Sequence, residues 1–223
     1  MKKKKKKIKR KFIKFCLIVL IFFCVGIIAY YTIGGNIKNI YVLNNNILTD
    51  QEIIDISGLS NYPNFYTTSS SSIKKKIKSN ILVKDVKVKK RLFNKIYIYI
   101  DEYEVLFYNQ NTNKYVLENK TEVDLQNIVV PTLINYVPDT KYNIFVNKYI
   151  LLDSLVKQKI SEIKYDPNEI DEDRFFLYMN DGNYVYVTLT KMELLNKYNE
   201  AITKVEGKKG TLYLDSGNYF EIR

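Results

Sequence analysis

Histidine is absent from this 223-residue chain, and cysteine occurs only at Cys16 and Cys24. The first absence removes the commonest general base and the commonest metal ligand. Ser–His and Cys–His nucleophile systems are thereby excluded, as are zinc sites built on histidine. Both cysteines fall inside a long uncharged stretch, where they act as small apolar residues. No disulfide framework therefore holds the rest, and no thiol there can serve as a transpeptidase nucleophile. Its stability must come from a core alone, which about 190 residues can supply in one or two domains.

Acidic residues are missing from the first 14 positions, which hold ten lysines and arginines. Overall there are 35 Lys+Arg against 24 Asp+Glu, and removing those ten leaves 25 basic against 24 acidic. The alkaline character belongs to the tip. A nucleic-acid-binding domain would spread positive charge over a folded face, so nucleic acid is not an expected partner.

Charge is missing again from Phe15 to Ile33, 19 residues of which twelve are Ile, Leu, Val or Phe. As a helix this run is ~28 Å long, close to the ~30 Å hydrocarbon core of a bilayer. Its apolar residues favour insertion by several kcal/mol in sum, on the order of 0.3–0.6 kcal/mol each. Tyr30 and Tyr31 stand at its far end, where aromatic rings prefer the headgroup layer. A cleaved export signal has an apolar region of only about 7–15 residues and then a small-x-small site. Here the run is longer, and Tyr-Tyr-Thr-Ile-Gly-Gly follows. An uncleaved anchor is expected, with residues 1–14 cytoplasmic and everything after Gly35 outside. The lysine run sets this topology and is also suited to anionic headgroups.

The next 65 or so residues change period repeatedly. NIKNIYVL at 36–43 reads as a strand, and Asn44-Asn45-Asn46 as a turn. Thr49 with Glu52 three residues on is a capping-box pattern, and Gly58 is a helix stop. Ser69 to Ser72 can cap a second helix over 71–80, with Ile73, Ile77 and Ile81 on one face. Then VKDVKVKKRL and KIYIYIDEYEV alternate with period two about a turn at Asn94. The order is strand, helix, helix, strand, strand.

These residues resemble a POTRA domain of the FtsQ/DivIB family. Ile40-Tyr41-Val42-Leu43-Asn44-Asn45 fits the family's I-x-V-x-G-N, with Asn in place of Gly. Glu52-Ile53, Asn64-Phe65, Val86-Lys87-Val88, Glu102 and Tyr108 fit its later positions, and Val88 to Arg91 gives a shifted match to V-x-R. The second half continues the likeness. Residues 115–123 read as a hairpin about Asn119-Lys120, Val130-Pro131-Thr132-Leu133-Ile134 as an l-P-x-l segment, and Ile160-Ser161-Glu162-Ile163 as I-s-E-I. Residues 148–160 and 191–205 have helical spacing, the latter with Met192, Leu195, Tyr198 and Ile202 on one face. Residues 177–187 form a hairpin about Asp181-Gly182, and 211–215 and 219–222 are late strands.

The expected fold is thus α+β: one transmembrane helix, a β-α-α-β-β POTRA domain, and a mixed β-rich domain with two helices. The segments are 1–14 cytoplasmic tail, 15–33 span, 36–105 POTRA and 106–223 β-rich domain. The resemblance implies a bitopic, non-enzymatic scaffold of the division septum, single-pass type II. It implies partners among other divisome membrane proteins, small single-span coiled-coil proteins of the FtsL and FtsB/DivIC type. It implies no catalytic residue, cofactor, metal or small-molecule substrate. In the family the late strands carry the partner face, which places it on Leu212, Tyr213, Leu214, Tyr219 and Phe220. Strand 211–215 is the expected open edge, suited to accepting a partner strand.

Three other stretches carry no site. Glu206 to Gly210 lacks the spacing of a phosphate loop and reads as a solvated turn. The acidic run 166–173 fails the calcium-loop pattern, with Ile170 at its fifth place and no Gly at its sixth. Asn119-Lys120-Thr121 is a glycosylation sequon by pattern alone. The alternative from another class is a membrane-anchored cell-wall hydrolase using a carboxylate pair.

Overall fold

The computed structural model describes residues 2–33 and 35–223, with side chains from Lys11 to Tyr30 and from Gly35 onward. The role read for Tyr31 lies outside the described side chains. Helix α1 (Lys2–Ile33) is continuous through both the basic and the apolar stretch. Lys11–Tyr30 is long and apolar enough to cross a membrane, and none of it is buried against the protein.

The chain divides into two compact units, Met1–Glu102 and Tyr103–Arg223. The first is built as β1 (Asn39–Leu43), α2 (Asp50–Ser57), α3 (Ser70–Lys78), β2 (Val83–Arg91) and β3 (Lys95–Glu102). Its sheet has the order β1-β3-β2, with β1 parallel and β2 antiparallel to β3. The period-two pattern of KIYIYI puts Ile96, Ile98 and Ile100 on the buried face, where Ile53, Ile73 and Ile77 of the helices are also buried. The capping box forms: the Thr49 hydroxyl accepts from the Glu52 N–H and the Glu52 carboxylate from the Thr49 N–H. Gly58 closes α2 at φ +74°. Asn44 takes φ +67° where the family has glycine, a conformation asparagine tolerates. Glu102 accepts from the N–H groups of Asn46, Ile47 and Leu48, tying the end of β3 to the turn after β1.

One expected position is corrected. Helix α3 stops at Lys78, and Asn80 turns the chain by accepting from the Leu82 N–H. Ile81 therefore leaves the helix face and is exposed, while Leu82 and Val83 are buried.

The second unit is one mixed nine-stranded sheet, ordered β12-β11-β10-β9-β8-β7-β4-β5-β6. Its strands are β4 (Val105–Asn109), β5 (Lys114–Leu117), β6 (Glu122–Val123), β7 (Thr132–Leu133), β8 (Ile160–Tyr165), β9 (Arg174–Met179), β10 (Tyr184–Thr188), β11 (Gly210–Tyr213) and β12 (Tyr219–Ile222). Phe107, Phe145, Tyr149, Phe175 and Val185 centre its core. Phe145 stacks on Phe175 at 4.7 Å, and Phe107 meets Tyr149 edge-on at 5.7 Å.

The helix read over 148–160 is not there as one element. Helix α4 (Asp139–Ile150) starts after Pro138, whose missing N–H is harmless at a helix start. It presents Phe145, Val146 and Tyr149 inward. Asp153 then adopts extended geometry and opens the short α5 (Ser154–Lys157), and Ile160 begins β8. Tyr149, Leu152, Val156 and Ile160 are all buried, at intervals a single helix would also give. The chain reaches that core by turning twice.

In place of the helix read over 191–205, the buried residues Leu189, Met192, Leu195 and Tyr198 recur every three positions from 189 on. Three per turn is the 3₁₀ period. A 3₁₀ helix spans Leu189–Lys197 and becomes α-helical only in α6 (Tyr198–Thr203).

Candidate partner-binding edge

Strand 211–215 is not the open edge. Strand β11 pairs with β10 on one side, in parallel, and with β12 on the other, antiparallel. Leu212 and Leu214 point into the core and are 5% exposed. Of the late strands it is β12 that lies at an edge of the sheet, whose opposite edge is β6.

The register fixes which groups that edge offers. The Arg223 N–H donates to the Lys209 carbonyl across the β11–β12 ladder at 2.9 Å. Antiparallel pairs alternate between bonded and non-bonded. Glu221 and Tyr219, opposite Thr211 and Tyr213, therefore turn their backbone groups inward. The N–H and C=O of Phe220 and Ile222 face away from the sheet. The Phe220 side chain packs against the core, and Ile222 is 52% exposed.

Gly210 lets the two strands come this close. A Cβ there would lie 1.9 Å from the Glu221 carbonyl oxygen. The start of β11 is held from the other side by buried Asn183, whose side-chain oxygen accepts the Gly210 N–H at 3.0 Å. The Asn183 amide donates to the Tyr198 hydroxyl, which in turn donates to the Asp181 carboxylate at 2.9 Å. Burial pushes the Tyr198 phenol up, keeping it a donor. The Arg223 guanidinium reaches back to the Gly182 carbonyl. Residues Asp181, Gly182 (φ +84°) and Asn183 thus anchor α6, the residue after β12 and β11 respectively.

An aromatic row crosses the outer face. Tyr186, Tyr213 and Tyr219 stack in sequence at 5.4 and 4.7 Å. Phe176 continues the row at 4.5 Å from Tyr186. The Tyr213 hydroxyl donates to Glu221, and that bond, with some burial, pushes its phenol up. The five residues expected from sequence thus divide: Tyr213 and Tyr219 lie on the outer face, Phe220 at the edge, and Leu212 and Leu214 inside. Gly210, Asn183, Tyr186 and Ile222 were missed. A glycine opening a strand and the Tyr-Val-Tyr alternation at 184–186 were the available signals.

The acidic run 166–173 is a loop held by its own ion pairs, Asp166 to Arg174 at 2.8 Å and Asp173 to Lys141 at 2.5 Å. Among the described residues no group of His, Cys, Asp and Glu is arranged to hold a metal.

The architecture defines a class: an α+β protein with one apolar N-terminal helix, a β-α-α-β-β POTRA unit and a mixed sheet ending in an open strand. Residues 35–103 match the family described as POTRA domain, FtsQ-type. The chain is 35% identical to the cell division protein DivIB of Bacillus subtilis (strain 168), over 98% of this chain and 86% of that protein. It is 29% identical to DivIB of Listeria monocytogenes, over 97% and 85% respectively. The solved extracytoplasmic domain of DivIB from Geobacillus stearothermophilus is 23% identical, covers 48% of this chain and 96% of its own, and superposes with a TM-score of 0.39. The chain belongs to the DivIB family of cell-division proteins.

Proposed function

We propose that this chain is a non-enzymatic scaffold of the division septum, linking cytoplasmic and extracytoplasmic division proteins. Helix α1 is its membrane span, with the basic residues 1–14 inside by the positive-inside rule and the POTRA and β-rich domains outside. The partners are small single-span coiled-coil proteins of the FtsL and FtsB/DivIC type. They dock on β12, where the outward N–H and C=O of Phe220 and Ile222 accept a strand and Tyr213 and Tyr219 give selectivity. The observation that carries this reading is the open, aromatic-flanked β12 edge at the end of a nine-stranded sheet.

A hydrolase with a carboxylate pair would need one carboxyl held protonated near neutrality. Glu52 and Asp85 are displaced the other way, Glu52 by the Thr49 N–H and hydroxyl, Asp85 by Lys78 first. Glu102 and Asp181 are engaged in holding turns.

The test is affinity capture of the full chain from detergent-solubilised membranes. Ile222→Pro removes an outward N–H while leaving the inner ladder, and Gly210→Ala drives β12 off β11. Both should lose the coiled-coil partners while the POTRA unit stays folded. Capture unchanged by both would refute the edge.

A further inference from the structure

The tip of the β2–β3 hairpin has three features that the fold does not use. Leu92 and Phe93 are 81% and 78% exposed, side by side. Phe93 sits at φ +63°, in the left-handed region that bulky residues avoid, next to Asn94 at φ +56°, where such a value is ordinary. Arg91 stands directly opposite Lys95 across the ladder, a like-charge pair. From Val86 to Ile100 there are five basic residues and no acidic one. An apolar pair is thus held outward, in a strained turn, within a collar of cations.

Its position in the chain supplies the reason. The Asn94 amide donates to the Asn36 carbonyl at 2.9 Å, and the Lys38 N–H donates to the Asn94 carbonyl at 2.9 Å. Asn36 follows the last residue of α1, Ile33, by three positions. Three residues of chain span at most about 11 Å. The hairpin tip is therefore bonded to backbone within about 11 Å of the end of the apolar helix.

We propose that this tip is a membrane-surface contact: Leu92 and Phe93 enter the interfacial layer of the bilayer, and Arg91, Lys95 and Lys38 meet anionic headgroups. The inference rests on the reading of α1 as a membrane span. An exposed apolar patch ringed by cations is the composition of interfacial anchors, and aromatic rings favour that layer. Headgroup anions also relieve the Arg91–Lys95 repulsion. The contact fixes the POTRA unit against the bilayer at a second point beside its tether.

The chain has no tryptophan, so a single one is a clean reporter. The full chain is reconstituted in phosphatidylcholine vesicles with and without phosphatidylglycerol, with brominated acyl chains as quencher. Phe93→Trp is compared with Phe22→Trp in α1 and with Val129→Trp at a fully exposed site of the second unit. Phe93→Trp is expected to emit blue-shifted and to be quenched several times more than Val129→Trp, more strongly when phosphatidylglycerol is present. Quenching of Phe22→Trp with Phe93→Trp no more quenched than Val129→Trp would overturn the contact and leave the span intact. A blue shift without quenching would place the ring against protein and overturn it equally. Loss of quenching at Phe22→Trp as well would show that the span itself had failed, and the inference with it.

Discussion

Two sheet edges of this molecule end differently. Strand β2 borders the POTRA sheet and carries Lys84, Lys87, Lys89, Lys90 and Arg91 along nine residues. Strand β12 borders the large sheet and reads Tyr-Phe-Glu-Ile. Lysines on an edge discourage pairing with another chain, whereas an aromatic, weakly charged edge invites it. The β2 lysines also pass into the collar around Leu92 and Phe93, so the guarded edge continues into the cationic tip. On the proposed reading labour is divided: the cationic β2–β3 tip faces lipid and the β12 edge accepts a strand, while the β2 edge is guarded by its lysines. That division requires two cores able to fail separately.

The largest effect should come from breaking one core at a time. Phe107 is fully buried against Phe145 and Tyr149, and Ile77 is fully buried in the POTRA core. Phe107→Ala should destabilise its unit by about 3–5 kcal/mol and Ile77→Ala its own by about 2–5 kcal/mol. Hydrogen exchange of the full chain in detergent reads each unit by its own peptides. Phe107→Ala should loosen 103–223 and spare 36–102, and Ile77→Ala the converse. Loosening of both units by either change would show one cooperative fold.

The two units also differ in how far the sequence could be read. The POTRA unit uses short-range signals: the Thr49–Glu52 box, Gly58, and alternation through Ile96, Ile98 and Ile100. Each is decided within a few residues, and the order of elements followed. Its one error, Ile81, arose because a helical spacing continued one step past a cap. In the second unit the spacing of buried residues was right and the backbone was not. Tyr149, Leu152, Val156 and Ile160 fit one helix by period, but Asp153 breaks it. Met192, Leu195 and Tyr198 fit a helix, but of three residues per turn. The open edge of the late strands was misplaced by one strand for a related reason. Whether β11 or β12 ends the sheet depends on a parallel pairing of β10 with β11 across more than twenty residues, which no local pattern encodes. Gly210 permits β12 to approach β11 through its closeness to Glu221, a neighbour visible only in three dimensions.

A sharper comparison comes from the side chain that holds a turn in each unit. Glu102 accepts three N–H groups at 2.8–2.9 Å in the first unit. Asn183, wholly buried, bridges Gly210 and Tyr198 in the second. Leaving such groups unsatisfied costs about 1–3 kcal/mol. Glu102→Gln should speed exchange at 44–52 alone. Asn183→Ala should speed it through β11 and weaken partner capture with it. If Asn183→Ala left capture whole, the placement of β12 would not depend on this bridge.

The smallest effect is one of pH, and its sign separates the units. Asp85 is bonded to Lys78 at 2.9 Å and Lys74 at 3.1 Å, and Lys78 chiefly holds its carboxyl well below the usual carboxylate range. Glu52 is held low by Thr49. A depressed carboxyl contributes stability above its ordinary pKa, about 3.9 for Asp, and loses that contribution as the pH falls below it. Lys90, lowered by burial, moves the same unit in the same sense, its stability rising as the pH climbs toward the lysine range. In the second unit the displaced groups are raised: Lys141 by its bond to Asp173, Lys164 by Asp166, and Tyr149 and Tyr198 by burial. Raised groups contribute below their ordinary pKa, about 10 for both types, and lose it as the pH rises. Calorimetry of the full chain, with transitions assigned by Ile77→Ala and Phe107→Ala, should show the POTRA midpoint falling first in acid and the β-rich midpoint first in alkali. Asp85→Asn should flatten part of the acid slope, and less so in high salt, because the pair is exposed and screened. An acid limb that begins in the β-rich unit would reverse the assignment.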